Sequence, residues 1–247
     1  MNKNIINQLD LSKYNTDKIQ QGYLEQYNSI FAEFLDKKIN LLELGVYKGG
    51  SVRLWRDYFP LGNIVGIDIN LTDIEIDQDR IHLFKGNQAD TKFLTQTANS
   101  IAPEGFDIII DDASHIGELT KIAFWHLFDN HLKPNGLYII EDWGTRYWHD
   151  WTDGKTFDIE SYQCKRRYKT NSIWAKVVRR IFAKSRWPSH SYGMVGFIKQ
   201  LVDEQGASDA TRGCLKGTVK RKSKFESMVI RGSIVIIKKN YALVCDE

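Results

Sequence analysis

Phe106-Asp107-Ile108-Ile109-Ile110-Asp111-Asp112-Ala113-Ser114-His115 is a short apolar run that ends in two carboxylates, with an imidazole three residues after the second. A second apolar run, Gly136-Leu137-Tyr138-Ile139-Ile140-Glu141-Asp142, ends the same way. Short runs of branched apolar residues bounded by glycine and acids read as buried strands. Laid side by side and parallel, two such strands bring acids from both tips to one rim of a sheet, with His115 beside them. Ligands for a hard cation and a general base need that arrangement. The chain reads as a candidate enzyme.

Outward from these two strands the pattern alternates. Residues 19–38 read as a helix, with Ile19, Tyr23, Tyr27, Ile30, Phe31, Phe34 and Leu35 near helical spacing. Asn40 to Gly45 reads as a buried strand, Ser51 to Phe59 as a helix, Asn63 to Asp68 as a second strand and Ile81 to Phe84 as a third. A helix over 91–101 precedes the Phe106–Ile110 strand, and a helix near 118–131 follows it. Lys133-Pro134-Asn135-Gly136 is expected to stop that helix before the fifth strand, Leu137–Ile140. Strands alternating with helices predict a parallel sheet covered on both faces. The end of the chain differs: Phe225–Ile230, a Gly232 turn and Ser233–Lys239 read as a β-hairpin.

The turn after the first strand is Glu43-Leu44-Gly45-Val46-Tyr47-Lys48-Gly49-Gly50-Ser51. Glycines there let backbone approach a ligand, and the helix that follows offers free N–H groups to an anion. A Walker loop needs Lys immediately before Ser51, where this chain has Gly50. A dinucleotide turn needs a glycine at residue 47, which is Tyr, so a nicotinamide-dependent Rossmann oxidoreductase is the disfavoured alternative. The remaining pattern suits a ligand without a pyrophosphate. Asp68 ends the second strand, where an acid can bond ribose hydroxyls. The bland alternative is a strand–helix turn that merely needs small residues.

These motifs, with Lys133-Pro134-Asn135-Gly136 before the fifth strand, resemble class I S-adenosylmethionine-dependent methyltransferases. Thr16-Asp17-Lys18, Gly86-Asn87-Gln88-Ala89-Asp90, Asp111 to His115, Glu141-Asp142-Trp143 and Thr145-Arg146-Tyr147-Trp148 resemble, more narrowly, the branch of macrocin and mycinamicin O-methyltransferases and cephalosporin hydroxylase-like proteins. The similarity runs from residue 14 to about 148. It implies a Rossmann-like α/β fold with a mostly parallel seven-stranded sheet, order 3-2-1-4-5-7-6, whose last two strands are the hairpin. The pattern along the chain reads as a single domain with an N-terminal helical cap over about 1–38 and a basic, aromatic lid insertion over about 143–190.

By the same resemblance Glu43, Gly45 and Gly49 are expected to line the methionine end of S-adenosylmethionine, and Asp68 to bind its ribose. Asn87, Gln88 and Asp111 complete the expected cofactor site, with Asn87 standing where the family usually carries Asp. A divalent cation, usually magnesium, is expected at Asp112 and Asp142, with Glu141 third. Strand alternation prevents Glu141 and Asp142 from pointing the same way unless the strand has ended. Asp112 and His115 are the expected catalytic pair, His115 as the base. The alternatives are acids and a histidine that only cap the following helices, in a methyltransferase-like binding protein without chemistry. His82, His126, His131, His149 and His190 match no motif and read as structural or exposed.

Composition is that of an ordinary soluble domain, with 42% hydrophobic and 26% charged residues among 247. No apolar run spans a bilayer, nothing at the N-terminus reads as a signal peptide, and Cys164, Cys214 and Cys245 form no disulfide or zinc pattern. Together these predict a cytoplasmic protein. The formal net charge of +3 is mild, but no Asp or Glu occurs between Glu160 and Asp203. Within that interval Ile173, Trp174, Val177, Val178, Ile181 and Phe182 recur at helical spacing among lysines and arginines. The segment reads as a lid helix packed on the core or on a second subunit of a homo-oligomer. It also reads as a basic amphipathic helix, near 173–186, meeting the inner membrane surface or a phosphorylated or lipid-linked glycan. No nucleic-acid module motif accompanies it, and no nucleic-acid partner is expected. The overall expectation is a metal-assisted O-methyltransferase acting on a sugar or glycan hydroxyl.

Overall fold

Strands β1 (Asn40–Leu44), β2 (Asn63–Asp68), β3 (Ile81–Lys85), β4 (Phe106–Asp111), β5 (Leu132–Ile140), β6 (Phe225–Arg231) and β7 (Ile234–Lys239) form one seven-stranded sheet in the order β3-β2-β1-β4-β5-β7-β6. The structure is a computed structural model and describes residues 5–71, 74, 79–156 and 192–241. β1 to β5 pair in parallel, and β7 lies antiparallel between β5 and β6. β1, β2 and β4, with the second half of β5, are buried on both faces and read as unbroken apolar runs, whereas the edge strand β3 is only half-buried.

The helices are α1 (Asp17–Gln20), α2 (Tyr23–Phe31), α3 (Gly50–Tyr58), α4 (Thr91–Ile101), α5 (Gly117–Asn130), α6 (Gly193–Gln205) and α7 (Ala207–Ala210). On the front face, the N-terminal segment with α2 and α3 packs over Leu41, Ile108, Ile110, Leu137 and Ile139. On the back face, aromatic and aliphatic residues of α4, α5 and α6 pack over Leu42, Leu44, Ile109, Tyr138 and Ile140. Adjacent strand residues thus serve opposite layers, as pleating requires. Among the described residues no helix is long and apolar enough to cross a membrane.

Two expectations shift. The helix expected over 19–38 is broken: Gly22 takes φ +70°, a conformation without penalty for a residue lacking Cβ, and separates α1 from α2. Past Phe31 the chain tightens into a 3-10 turn over Ala32–Phe34. The Lys133–Gly136 stretch is not a mere stop. β5 already begins at Leu132, which pairs with Phe106, and the next pair is Ile108 with Leu137. The proline and the left-handed Asn135 therefore sit in a bulge, where a missing N–H and an αL residue are tolerated. Of the segment expected as a basic lid, Trp143–Tyr147 and Asp153–Thr156 form 3-10 turns. The basic helix expected near 173–186 lies outside the described residues.

Candidate active site

Register places the acids. Leu44, Asp111 and Ile140 are aligned across β1, β4 and β5. The ladder continues one step beyond, with Asp112 N–H donating to Leu44 O (2.9 Å) and Glu141 N–H to Asp111 O (3.0 Å). Asp112 and Glu141 therefore share the front face. Asp111 turns to the back, 2% exposed, near Tyr138 and Gln88. Burial pushes the Asp111 carboxyl up to about 7.

Asp142 would follow Asp111 to the back if β5 continued. It has φ +50°, and the 3-10 turn from Trp143 begins there. The strand has ended, and Asp142 instead accepts a 2.6 Å hydrogen bond from the Tyr23 hydroxyl. Asp112, His115 and Asp142 each present a ligand atom within 4.8 Å of the others. His115 Nε2 lies 3.6 Å from Asp112 Oδ1. The histidine is held by its own φ of +51°, by a Thr145 hydroxyl donating to its carbonyl, and by an edge contact with the Trp151 ring at 5.2 Å.

A cavity of about 830 Å³ opens over this cluster. Gly45–Lys48, Asp68, Asn87, Gln88, Asp112–His115, Asp142 and Trp151 line it, and the N-terminal residues Tyr14–Asp17 and Gln20 close one side. Gly45 is demanded by close approach: at φ +92° a Cβ would collide with the Asp112 carbonyl. A Cβ on Gly50 would strike the Asn15 carbonyl, so the start of α3 has room for the N-terminal segment only as glycine. Asp68 accepts from the N–H groups of Val46 and Tyr47 through one oxygen and from Asn70 N–H through the other. It braces the glycine turn, and lone pairs remain on a carboxylate so bonded.

Three of the expected cofactor residues do not border the cavity. Glu43 is fully buried and accepts from Ser51 Oγ (2.7 Å) and Trp55 Nε1 (3.1 Å), which ties β1 to α3. Gly49 caps α3 in a left-handed conformation and does not border the cavity. Asp111 faces the back layer and meets the cavity lining through Gln88, whose side-chain carbonyl accepts from Ser114 N–H, and through the Ala113 backbone.

Glu141 stands apart from the three-residue cluster. It is 1% exposed, and both its oxygens receive hydrogen bonds from Lys18 Nζ at 2.9 Å, with the Tyr27 hydroxyl on Oε1. Burial pushes the Glu141 carboxyl up, Asp112 adds to the rise and Lys18 opposes it. Lys18 is fully buried and also reaches Asp112 Oδ2 at 2.5 Å and Glu43 at 3.5 Å. Burial works against its ammonium, but the surrounding carboxylates prevail and hold its pKa well above the usual lysine range. Sequence reasoning gave Lys18 no role. The signal was its place in Thr16-Asp17-Lys18, one of the motifs carrying the resemblance.

Below the rim, Asp153 is a second buried anchor, 2% exposed. Its Oδ2 accepts from Gly117 N–H (2.8 Å) at the start of α5 and from Met194 N–H (2.9 Å) at the start of α6. The buried Arg146 donates to the Asp153 carbonyl and lies over the Tyr192 ring.

The sheet order and the ligand-sized cavity over the tips of β1, β2, β4 and β5 define a class I methyltransferase fold. Among known proteins, the chain is 40% identical over 148 residues to a mycinamicin VI 2''-O-methyltransferase of Micromonospora griseorubida, covering 56% of this chain and 36% of that one. It is 40% identical over 128 residues to an 8-demethyl-8-(2-methoxy-alpha-L-rhamnosyl)-tetracenomycin-C 3'-O-methyltransferase of Streptomyces olivaceus, covering 49% and 32%. The MycE methyltransferase of the mycinamycin pathway, solved with Mg, SAH and mycinamycin VI, superposes with a TM-score of 0.63 at 28% identity, over 88% of this chain and 48% of that one. The resemblance read from the sequence motifs is thus to proteins that match this chain directly. The chain spans about a third of the length of the curated relatives it matches. No protein-family model matches it.

Proposed function

We propose that this protein is an S-adenosylmethionine-dependent, metal-assisted O-methyltransferase whose acceptor is a sugar or glycan hydroxyl. The observation that carries the reading is the cluster of Asp112, His115 and Asp142 opening into a cavity that runs on to the Gly45 turn and Asp68. The two carboxylates are a donor set for a hard divalent cation, magnesium or manganese rather than a thiolate-seeking metal, with the imidazole beside them. The cavity has the volume for an adenosyl cofactor with an acceptor beside it. Relatives that methylate sugar-bearing natural products support the acceptor class.

When bound, the cofactor supplies a sulfonium methyl and the cation supplies charge that favours ionisation of a hydroxyl. Asp112 and Asp142 would hold the cation, and Tyr23 orients Asp142. His115 would take the acceptor's proton as general base. Asp68 and the Asn87–Gln88 segment hold the ribose and adenine end. Trp151, stacked edgewise on His115, offers an aromatic wall to a sugar ring.

The test is transfer of labelled methyl from S-adenosylmethionine to a panel of glycosides, with magnesium and after chelation. Magnesium-dependent transfer is expected. Transfer undiminished by chelation rejects the metal's part, and a protein that does not bind adenosylhomocysteine rejects the reading altogether.

A further inference from the structure

The backbone of His115 is strained. Its φ of +51° is left-handed, a conformation that costs a residue with a Cβ and lasts only where neighbouring groups enforce it. The enforcing groups come from the segment after β5. A 3-10 turn, Trp143–Tyr147, begins where that strand ends and carries Thr145 to the loop that follows β4. The Thr145 hydroxyl donates to the His115 carbonyl at 3.2 Å. Two residues further on, Gly117 N–H donates to Asp153 Oδ2 at 2.8 Å. Trp151, from the same segment, meets the imidazole edge-on at 5.2 Å. The loop is thus held at a carbonyl, at an amide and at a ring. The holding residues differ in where they stand. Trp151 lines the cavity with His115, whereas Thr145 and Asp153 do not border it. Thr145 has no exposed surface and Asp153 is 2% exposed. An effect of either on turnover therefore passes through the backbone it holds. Asp153 also takes Met194 N–H and so supports α6, but among the described residues the Thr145 hydroxyl donates to His115 alone.

Resting on the methyltransferase reading above, we propose that Thr145 is a positioning residue for His115, its hydroxyl holding the left-handed backbone from which the imidazole is aimed into the cavity. The bond works across two strand tips, from the turn after β5 to the loop after β4. Asp153 fixes the Gly117 amide, so Ile116 alone separates the two holds. Without the threonine hydroxyl, residue 115 relaxes toward a right-handed or extended backbone. That rotation swings the side chain and carries the imidazole away from the acceptor. A proton transfer needs hydrogen-bond reach, and a displacement of about an ångström is enough to slow it.

Thr145→Val keeps the shape of the side chain and removes its hydroxyl, while Thr145→Ser keeps the hydroxyl. In Thr145→Val, kcat is expected to fall on the order of tenfold, with the acceptor KM and the adenosylhomocysteine affinity near wild type. Thr145→Ser is expected to recover most of the loss. A second readout is independent of turnover. The Trp151 ring displaces the imidazole proton resonances of His115, which are identified by their disappearance in His115→Ala. In Thr145→Val these resonances are expected to move toward those of an exposed histidine, and in Thr145→Ser to return. If Thr145→Val does not fold, Thr145→Ala carries the same measurements. Unmoved resonances or unchanged kcat in the hydroxyl-free variant, or a serine variant that behaves like it, overturns the proposal and leaves the methyltransferase reading standing. A fall in kcat matched by a loss of cofactor affinity marks Thr145 as merely structural and overturns it too. A wild-type protein without methyl transfer overturns the methyltransferase reading instead, and the resonances still decide whether Thr145 holds the ring.

Discussion

On the back of the sheet Phe124 stacks on Phe128 at 5.1 Å, meets Tyr138 edge-on at 4.6 Å and touches Phe197 and Phe225. The front is equally aromatic, with Tyr27 stacked on Phe31 at 5.0 Å and both against Trp55. The difference lies at the tips of the rings. Front-face rings carry polar atoms that end on functional or supporting acids: Tyr27 on Glu141, Tyr23 on Asp142, Trp55 on Glu43, Tyr14 on Asp57. The back-face rings are mostly Phe and end on one another. One layer therefore holds charges in place in a poorly solvated setting, where each bond must be satisfied. The other supplies mainly burial, its polar exception being Asp111 with Gln88 and Tyr138. The same sheet separates them by pleat alone, so that Asp111 and Asp112, adjacent in sequence, live in different chemical surroundings.

Substitutions at the rim and in the two layers would sharpen this contrast. His115→Ala is expected to lower turnover by about 10²–10⁴-fold with little change in adenosylhomocysteine affinity, and a loss below tenfold would reduce His115 to a structural residue. Phe124→Ala is expected to cost about 3–5 kcal/mol of stability in urea unfolding, while kcat per folded molecule stays near wild type. A large kcat defect there would break the division of labour. Tyr27→Phe removes a single hydroxyl from the front layer and is expected to cost about 1–3 kcal/mol, accompanied by a fall in turnover that the larger back-face cavity does not cause.

The smallest effect is one of pH. Burial, with His126 and Lys239 nearby, depresses the pKa of His131, and burial likewise depresses that of His126. Both approach the Thr95 hydroxyl between α4 and α5. The unfolded chain then binds more protons than the folded one below about pH 6.5, so stability is full above that value and declines as pH falls through it. Tm measured from pH 7.5 to 5.5 is expected to drop, and His131→Gln to flatten the drop. A Tm that rises on acidification would contradict the buried neutral pair.

Most of the sheet was legible because parallel strands bury both faces and so carry unmistakable apolar runs. The convergence of Asp112 and Asp142 followed from reading both runs as adjacent strands. The glycine turn was legible in Gly45 but not in Gly49, because the motif does not say which glycine meets a ligand and which only ends a turn. Glu43 shares a face with Leu41, and Ser51 and Trp55 occupy its carboxylate beneath the cavity, a tertiary arrangement the motif alone does not reveal. Lys18 was out of reach of local reading. A lysine in one helical turn looks solvated, and only the tertiary fold brings it to acids 94 and 123 residues away. The Lys133–Gly136 bulge was hidden because proline and glycine announce an interruption without saying whether a strand lies on both sides of it.

Asp153 gives the molecule a property that matters over evolutionary time. One carboxylate holds the leading ends of two helices, and Arg146 grips the same loop while lying against Tyr192. The chain between Thr156 and Tyr192 is therefore bracketed by an anchorage of its own, independent of whatever sequence fills the interval. Replacement of that interval, by drift or by design, can proceed while the tips of β4 and β5 keep their shape.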